Sequence, residues 1–292
     1  MASLKEVKGR INSVQNTRKI TSAMRMVASS KLHKAQAAID NMLPYQQHLS
    51  GMLAGFLACE PMLAASSFVE VREVKRVAII AFSSNSSLCG GYNANVVKSI
   101  APILAGYARL NKEDILIFPI GRKIADAVKK MGYEPQGDFE ELAEKPSYEE
   151  MASLASRLTK SFLQKEVDRV ELVYHHLHSV SSQILTHEVF LPIDTSVCQP
   201  SAGFEKGFRG EYIVEPTRVE LLKRLLPTVL RMKLFTVLLD ANASEHAARM
   251  ISMQTATDNA DGLLQDLNVA YNKMRQQAIT SELLDIIGGS FQ

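Results

Sequence analysis

The chain of 292 residues is 46% hydrophobic and 22% charged, enough apolar side chain to bury one large core or two smaller ones. Its 33 Lys and Arg against 31 Asp and Glu leave a net charge of +2, which excludes a protein that works chiefly by binding polyanions. Its 3 cysteines, Cys59, Cys89 and Cys198, include no CxxC pair, which argues against a disulfide scaffold and a thiolate zinc site and fits a reducing compartment.

The first residues, MASLKEVKGRI, lack the apolar core and cleavage site of a signal peptide. The longest apolar stretch, residues 51–59, falls short of the ~18 residues expected of a bilayer-spanning helix, so a soluble, intracellular chain is expected. Residues 4–57 contain one proline, Pro44, and an apolar series at helical spacing: Leu4, Val7, Ile11 and Val14, then Met24, Val27, Ala35, Ala38 and Met42. The polar run at 15–19 predicts a shift of phase between the two halves. A helix over this stretch would be about 80 Å long. Over residues 1–40, eight basic side chains (Lys5, Lys8, Arg10, Arg18, Lys19, Arg25, Lys31, Lys34) oppose Glu6 and Asp40. That excess reads either as a solvated coiled-coil face or as a collar for acidic partner surfaces; the lack of stacking aromatics there weighs against nucleic acid.

The middle alternates strands and helices. Residues 77–82 (VAIIAF) predict a buried strand and 93–109 a helix; 115–119 (ILIFP) predict a second strand and 122–131 a second helix. Residues 134–150 carry seven acids against Lys145 and read as a solvated loop. A helix near 149–164, strands at 170–177 and 186–191, and a Gly-rich connector at 203–210 follow. The alternation argues for a mostly parallel sheet covered by helices. From Pro216, suited to a first helical turn, helical character runs over 217–287. Ala260, Leu264, Leu267, Tyr271, Met274 and Ala278 step by 4 and 3 as in a coiled coil. Pro227 should kink this helix or mark its start, and Gly262 is a soft spot.

Size dictates the arrangement. A middle domain of about 140 residues is roughly 40 Å across, so helices of about 80 and 105 Å cannot lie hidden on it. Winding them together antiparallel covers both apolar seams. The expected fold is therefore α/β, with an antiparallel coiled coil of long N- and C-terminal helices plus a central Rossmann-like α/β domain. Its parts are a shaft helix over 1–58, an α/β foot over 73–212 and a second shaft helix over 216–287.

Three places invite chemistry. The turn at 83–91 (SSNSSLCGG) could cradle phosphate between a strand and a helix N-terminus, but its spacing is neither GxGxxG nor GxxxxGK[ST], and a tight packing turn is the stronger reading. His175, His176 and His178 could ligate a metal, although no Asp, Glu or Cys in the strand completes a set; structural histidines on an edge strand are favoured. Cys89 could be a nucleophile but reads by default as a buried thiol. No catalytic residue, cofactor or metal site is expected. The last residues, 278–292, carry only Glu282 and Asp285 as charges, while Leu283, Leu284, Ile286 and Ile287 spread around the helix. A tip apolar on several sides signals burial in a partner or, less well supported, in a second copy.

Several strings resemble the gamma subunit of F-type ATP synthases, in the right order along the whole chain: INSVQNTRKITSAMRMVASSK from Ile11, LCGG from Leu88, ASEHAARM from Ala243, TDNA from Thr257, YNK from Tyr271 and ITSELLDIIGG from Ile279. The resemblance implies a rotor shaft inside a ring of three alpha and three beta subunits. It also implies a foot against epsilon and the membrane ring of c subunits, with ion flow turning the shaft to cycle the catalytic beta subunits. It further implies that Arg249, Gln276, Thr280 and Glu282 are polar contacts to the ring, that Met24 and Arg25 lie near a beta loop, and that the complex sits peripherally on the cytoplasmic side of a bacterial inner membrane. Two positions depart from the family: Asn85-Ser86-Ser87 stand where Asp-Arg-Gly is common, and Ser290 follows Gly289.

Overall fold

The computed structural model describes residues 4–59, 68–193, 215 and 217–290; the expected connector at 203–210, Cys198 and Pro216 lie outside these. The long terminal helices are α1, Leu4–Cys59, and α6, Arg218–Ser290. Pro227 lies inside α6, so it does not mark that helix's start. Two compact units result: one takes α1 up to Ser30 with α6 from Arg249, the other takes Lys31–Ala248.

In the first unit the two helices run antiparallel. Arg18 pairs with Asp261, the Thr21 and Thr257 hydroxyls meet at 2.9 Å, and Arg25 donates to Gln254, so partners descend on α6 as they ascend on α1. The α6 seam is Met253, Thr257, Ala260, Leu264, Leu267, Tyr271, Met274 and Ala278, buried or half-buried in steps of 4 and 3. The α1 seam runs Leu4, Val7, Ile11, Val14, Arg18, Thr21, Arg25, Ala28 in the same rhythm. The expected phase shift at 15–19 does not occur. Arg18, Thr21 and Arg25 hold seam positions because each meets a polar partner across the pair, a match that counting apolar residues misses. Met24 and Val27, expected on the seam, are 40% and 58% exposed and share a separate stripe with Ile20.

The second unit holds a four-stranded sheet, β1 (Val77–Phe82), β2 (Ile115–Ile120), β3 (Arg169–Ser179) and β4 (Ser182–Leu191), in the order β2-β1-β3-β4. β1 is parallel to β2 and β3, and β4 is antiparallel to β3. Every residue of β1 is buried, as its unbroken apolar run requires of a strand covered on both faces. On one face Ile79 and Ile117 pack with α2 (Tyr92–Gly106) and α3 (Arg122–Lys130) through Val96, Ile100, Ile124 and Val128. On the other, Ile80, Phe82 and Leu172 pack with α5 (Tyr148–Leu163), the Leu226–Ala241 part of α6 and Leu53 of α1. The acidic stretch is not simply a loop. It contains α4 (Glu140–Glu144), whose Leu142 and Ala143 are buried while all seven acids stay exposed, so a short amphipathic turn satisfies both demands.

β3 is not the edge strand expected for the histidines, but its far half outruns β1, whose pairing with it ends at Val173. α6 meets that unpaired stretch. Asp240 accepts from the Leu177 amide at 2.8 Å and pairs with His176 at 2.6 Å, and the Ser244 hydroxyl donates to the His175 carbonyl at 2.9 Å. The His175 ring is buried and stacked on Tyr92, 4.4 Å between centroids. Burial lowers its pKa from 6.5 to about 4, because charging a ring out of water is unfavourable.

His175 takes up its proton more readily in the unfolded chain, so stability is full above about pH 6.5 and falls as the pH drops toward 4, by about 2–3 kcal/mol from this residue. His175→Phe should flatten that part of the pH profile in urea unfolding of the purified chain. A Cβ at Gly262 would meet no atom within 4 Å, so Gly262→Ala should stabilise by about 0.5–1 kcal/mol. At Gly121, with φ +98°, a Cβ would sit 2.2 Å from the Ser83 carbonyl oxygen, so Gly121→Ala should cost at least about 2 kcal/mol in the same assay.

Candidate functional site

The turn after β1 closes on itself. Ser83 Oγ accepts from the Ile124 amide at 3.0 Å, the Ser84 carbonyl from Lys123 at 3.1 Å, and Asn85 Oδ1 from Arg122 at 2.9 Å. The first three amides of α3, the helix after β2, are thus all occupied by the oxygens of the turn after β1. Asn85 also donates to the Glu140 carbonyl at 2.8 Å, so this departure from the family pattern ties the turn to α3 and α4. Ser84 and Asn93 hold each other, and Asn93 donates to Cys89 Sγ at 3.1 Å. Cys89 is 2% exposed and lacks the open approach a nucleophile needs. The packing-turn reading of this segment fits the geometry.

The three histidines do not converge. His175 is buried against Tyr92, while His176 and His178 are exposed, His176 engaged by Asp240. Beside them α6 covers the carboxyl ends of the strands: Ser83 and Ile120 line a small cleft with Tyr92, Leu238, Ala241 and Asn242. That crevice is where doubly wound sheets hold ligands, and here a helix fills it. Sequence spacing gives no sign of this, because residues 83 and 241 are joined only by the tertiary fold.

The remaining candidates lie on the helix pair. Met24 is exposed, Arg25 and Arg249 are half-buried, and Gln276, Thr280 and Glu282 are exposed. They form no single cluster. Arg25 lies level with Gln254, and residues 276–282 lie roughly 33–42 Å further along α6. Thr280 donates to the Gln276 carbonyl at 2.9 Å, and the two share the face opposite the seam, whereas Glu282 falls within about 40° of Ala278.

Past Ala278 the character of α6 changes. Ile279, Leu283, Leu284, Ile286 and Ile287 are 48–69% exposed. At about 100° per residue they span about 160° of the helix, centred almost opposite the seam. Seam phase is continued by Ser281, Glu282 and Asp285, all polar and exposed. The tip's apolar face is therefore not the seam running on without its partner; a longer α1 in the same register would not cover it. Scanning for apolar residues finds these side chains, but only the register of the pair shows which way they point.

A family model described as ATP synthase matches residues 3–291. The chain is 59% identical over 290 residues to an ATP synthase gamma chain of Phocaeicola vulgatus and 58% identical to one of Bacteroides fragilis, with 99% of each chain covered in both cases. It resembles a chain of the Euglena gracilis mitochondrial ATP synthase, at a TM-score of 0.63 and 18% identity over 98% of this chain and 92% of that one. It also resembles a chain of the central stalk and c-ring of the Tetrahymena thermophila enzyme, at a TM-score of 0.59 and 21% identity over 81% and 99%; both likenesses concern the fold. With relatives this close along the full length, the chain belongs to the ATP synthase gamma chain family.

Proposed function

We propose that the helix pair is a shaft whose tip turns in an apolar socket of the catalytic ring, and that the chain performs no chemistry itself. As a gamma chain it is the central-stalk rotor subunit of a membrane-associated F-type ATP synthase. The observation that carries the socket is the exposed apolar face of Ile279–Ile287, turned away from the seam. Fully burying each such side chain is worth about 1.5–3 kcal/mol, so a water-exposed tip is far less favourable than a seated one. In this reading three alpha and three beta subunits surround the tip, and Met24, Arg25, Arg249, Gln276, Thr280 and Glu282 make the contacts that transmit rotation. The basic side chains of α1, Lys5, Lys8, Lys19, Lys31 and Lys34 among them, face acidic loops of the ring.

The α/β unit sits in this reading against the epsilon subunit and the c-subunit ring, and proton or sodium flow turns the whole. The assembly lies on the cytoplasmic side of a bacterial inner membrane. Among the described residues no helix is long and apolar enough to cross a membrane, which fits a peripheral subunit.

The chain mixed with its organism's alpha and beta subunits should elute as one copy per three of each and hydrolyse ATP faster than the ring alone. Elution alone or as a homodimer, with hydrolysis unchanged, would contradict the shaft. Glu282→Lys reverses a charge at the proposed contact, and losing an ionic contact of ~1 kcal/mol corresponds to roughly fivefold in rate. Hydrolysis by the assembled variant should slow by about that factor; an unchanged rate would remove Glu282 from the contact set.

A further inference from the structure

Four residues within the stretch 240–244 of α6 are bonded to three separate elements of the α/β unit. Asp240 takes the Leu177 amide and His176 of β3; the Ala241 carbonyl accepts from the Tyr92 hydroxyl of α2 at 2.9 Å; the Asn242 amide donates to the Ala143 carbonyl of α4 at 2.8 Å; Ser244 donates to the His175 carbonyl of β3. At about 100° per residue these bonds leave the helix over some 200° of its circumference. Asn242 and Ser244 are buried, as are Ala241 and Ala243 between and beside them, and small residues here let the backbone come close. Elsewhere in this unit, Leu226, Leu230, Leu234 and Leu238 of α6, and Ala38, Ile39 and Met42 of α1, join the core through apolar side chains.

The two kinds of contact resist rotation differently. Apolar burial is non-directional, so a helix can roll against it while rotamers exchange. Hydrogen bonds weaken steeply when bent, and bonds on both sides of a helix cannot all be kept as it turns about its axis. We propose that Tyr92, Asp240, Asn242 and Ser244 are positioning residues that lock α6 to the α/β unit against rotation, so that torque applied to that unit enters the shaft through residues 240–244. This rests on the rotor reading above. α6 continues unbroken to Ser290, which gives the torque a path to the tip. The buried, stacked Tyr92–His175 pair backs the lock by fixing the strand and helix that supply its partners.

The test is made in the membrane-bound synthase. The triple variant Tyr92→Phe, Asp240→Ala, Ser244→Ala should keep ATP hydrolysis within about twofold of the parent while ATP-driven ion pumping falls about fivefold or more, since several directional contacts are lost together. A bead on the α/β unit of the assembled complex should report a torsional stiffness lowered at least about twofold. Changing Asp240→Ala to Asp240→Asn, which keeps an acceptor for the Leu177 amide, should recover part of both. Leu234→Ala removes a buried apolar side chain without touching these bonds; it should lower thermal stability yet leave pumping coupled to hydrolysis. Parental pumping and stiffness in the triple variant, or equal uncoupling by Leu234→Ala, would overturn the lock and leave the rotor reading standing. If the triple variant fails to assemble, unchanged stiffness in the single variants Tyr92→Phe and Asp240→Ala would overturn it as well. Failure of the unaltered chain to stimulate the ring would instead sink the rotor reading.

Discussion

One helix has to satisfy three surroundings in turn, and the rest of the molecule follows from how α6 does so. From Ala241 to Ala247 every residue is buried; from Met253 to Ala278 only a seam is; from Ile279 to Ile287 none is. Each regime needs its own composition. The first runs Ala-Asn-Ala-Ser-Glu-His-Ala, in which small side chains allow close backbone approach and polar ones find partners in the strand and helices around them. The second is a heptad whose seam is mostly apolar, with Thr257 as its polar member facing α1. The third moves its apolar side chains to the opposite face. Helix propensity alone would treat all three alike, since what differs is the company each stretch keeps.

The polar members of the seam set the alignment of the pair. Leu or Ala seams tolerate slippage by a turn, because one apolar contact replaces another. Arg18–Asp261, Thr21–Thr257 and Arg25–Gln254 are matched at three successive levels, and any slip would separate all of them. Such polar seam positions specify register at some cost in stability. Register matters here because it fixes where the exposed stripe of Ile20, Met24 and Val27 lies relative to the tip of α6. It also fixes which α6 residues face away from α1 beyond the seam. In the proposed shaft, two sides that present different contacts to a ring would need that alignment held.

Much of this was legible from residues alone, for physical reasons. The 4-and-3 stepping of Ala260 to Ala278 and the unbroken apolar run of β1 are local signals of a seam and of a doubly covered strand, and both elements are where those signals put them. Apolar periodicity fails on the α1 seam between residues 15 and 27 because its members there are Arg and Thr, whose partners lie far along the chain on α6. α4 leaves little trace in the sequence because two buried positions among seven acids make a weak periodicity. The contact of β3 with α6 was invisible for the same reason as the polar seam: Asp240 and Ser244 are ordinary helix residues until the fold brings an unpaired strand edge beside them. The proposed contact residues Met24, Arg25, Arg249, Gln276, Thr280 and Glu282 rest on resemblance alone, and their spread along the helices explains why no local pattern marks them as a set.

The α/β unit puts an ordinary fold to an unusual use. In open sheets of this kind the crevice beyond the carboxyl ends of the strands is concave, lined by helix N-termini and well suited to a small anionic ligand. Here the turn after β1 spends its hydroxyl, carbonyl and amide oxygens on the first amides of α3, and Tyr92, in the first turn of α2, gives its hydroxyl to α6. At the start of α3 a phosphate would have to displace these bonds, and a buried one is costly to leave unmade. The same occupancy turns the crevice into a clamp on a helix. A site that in other sheets receives a molecule here holds part of its own chain, and a bonded helix that runs on to Ser290 can carry force out of the domain.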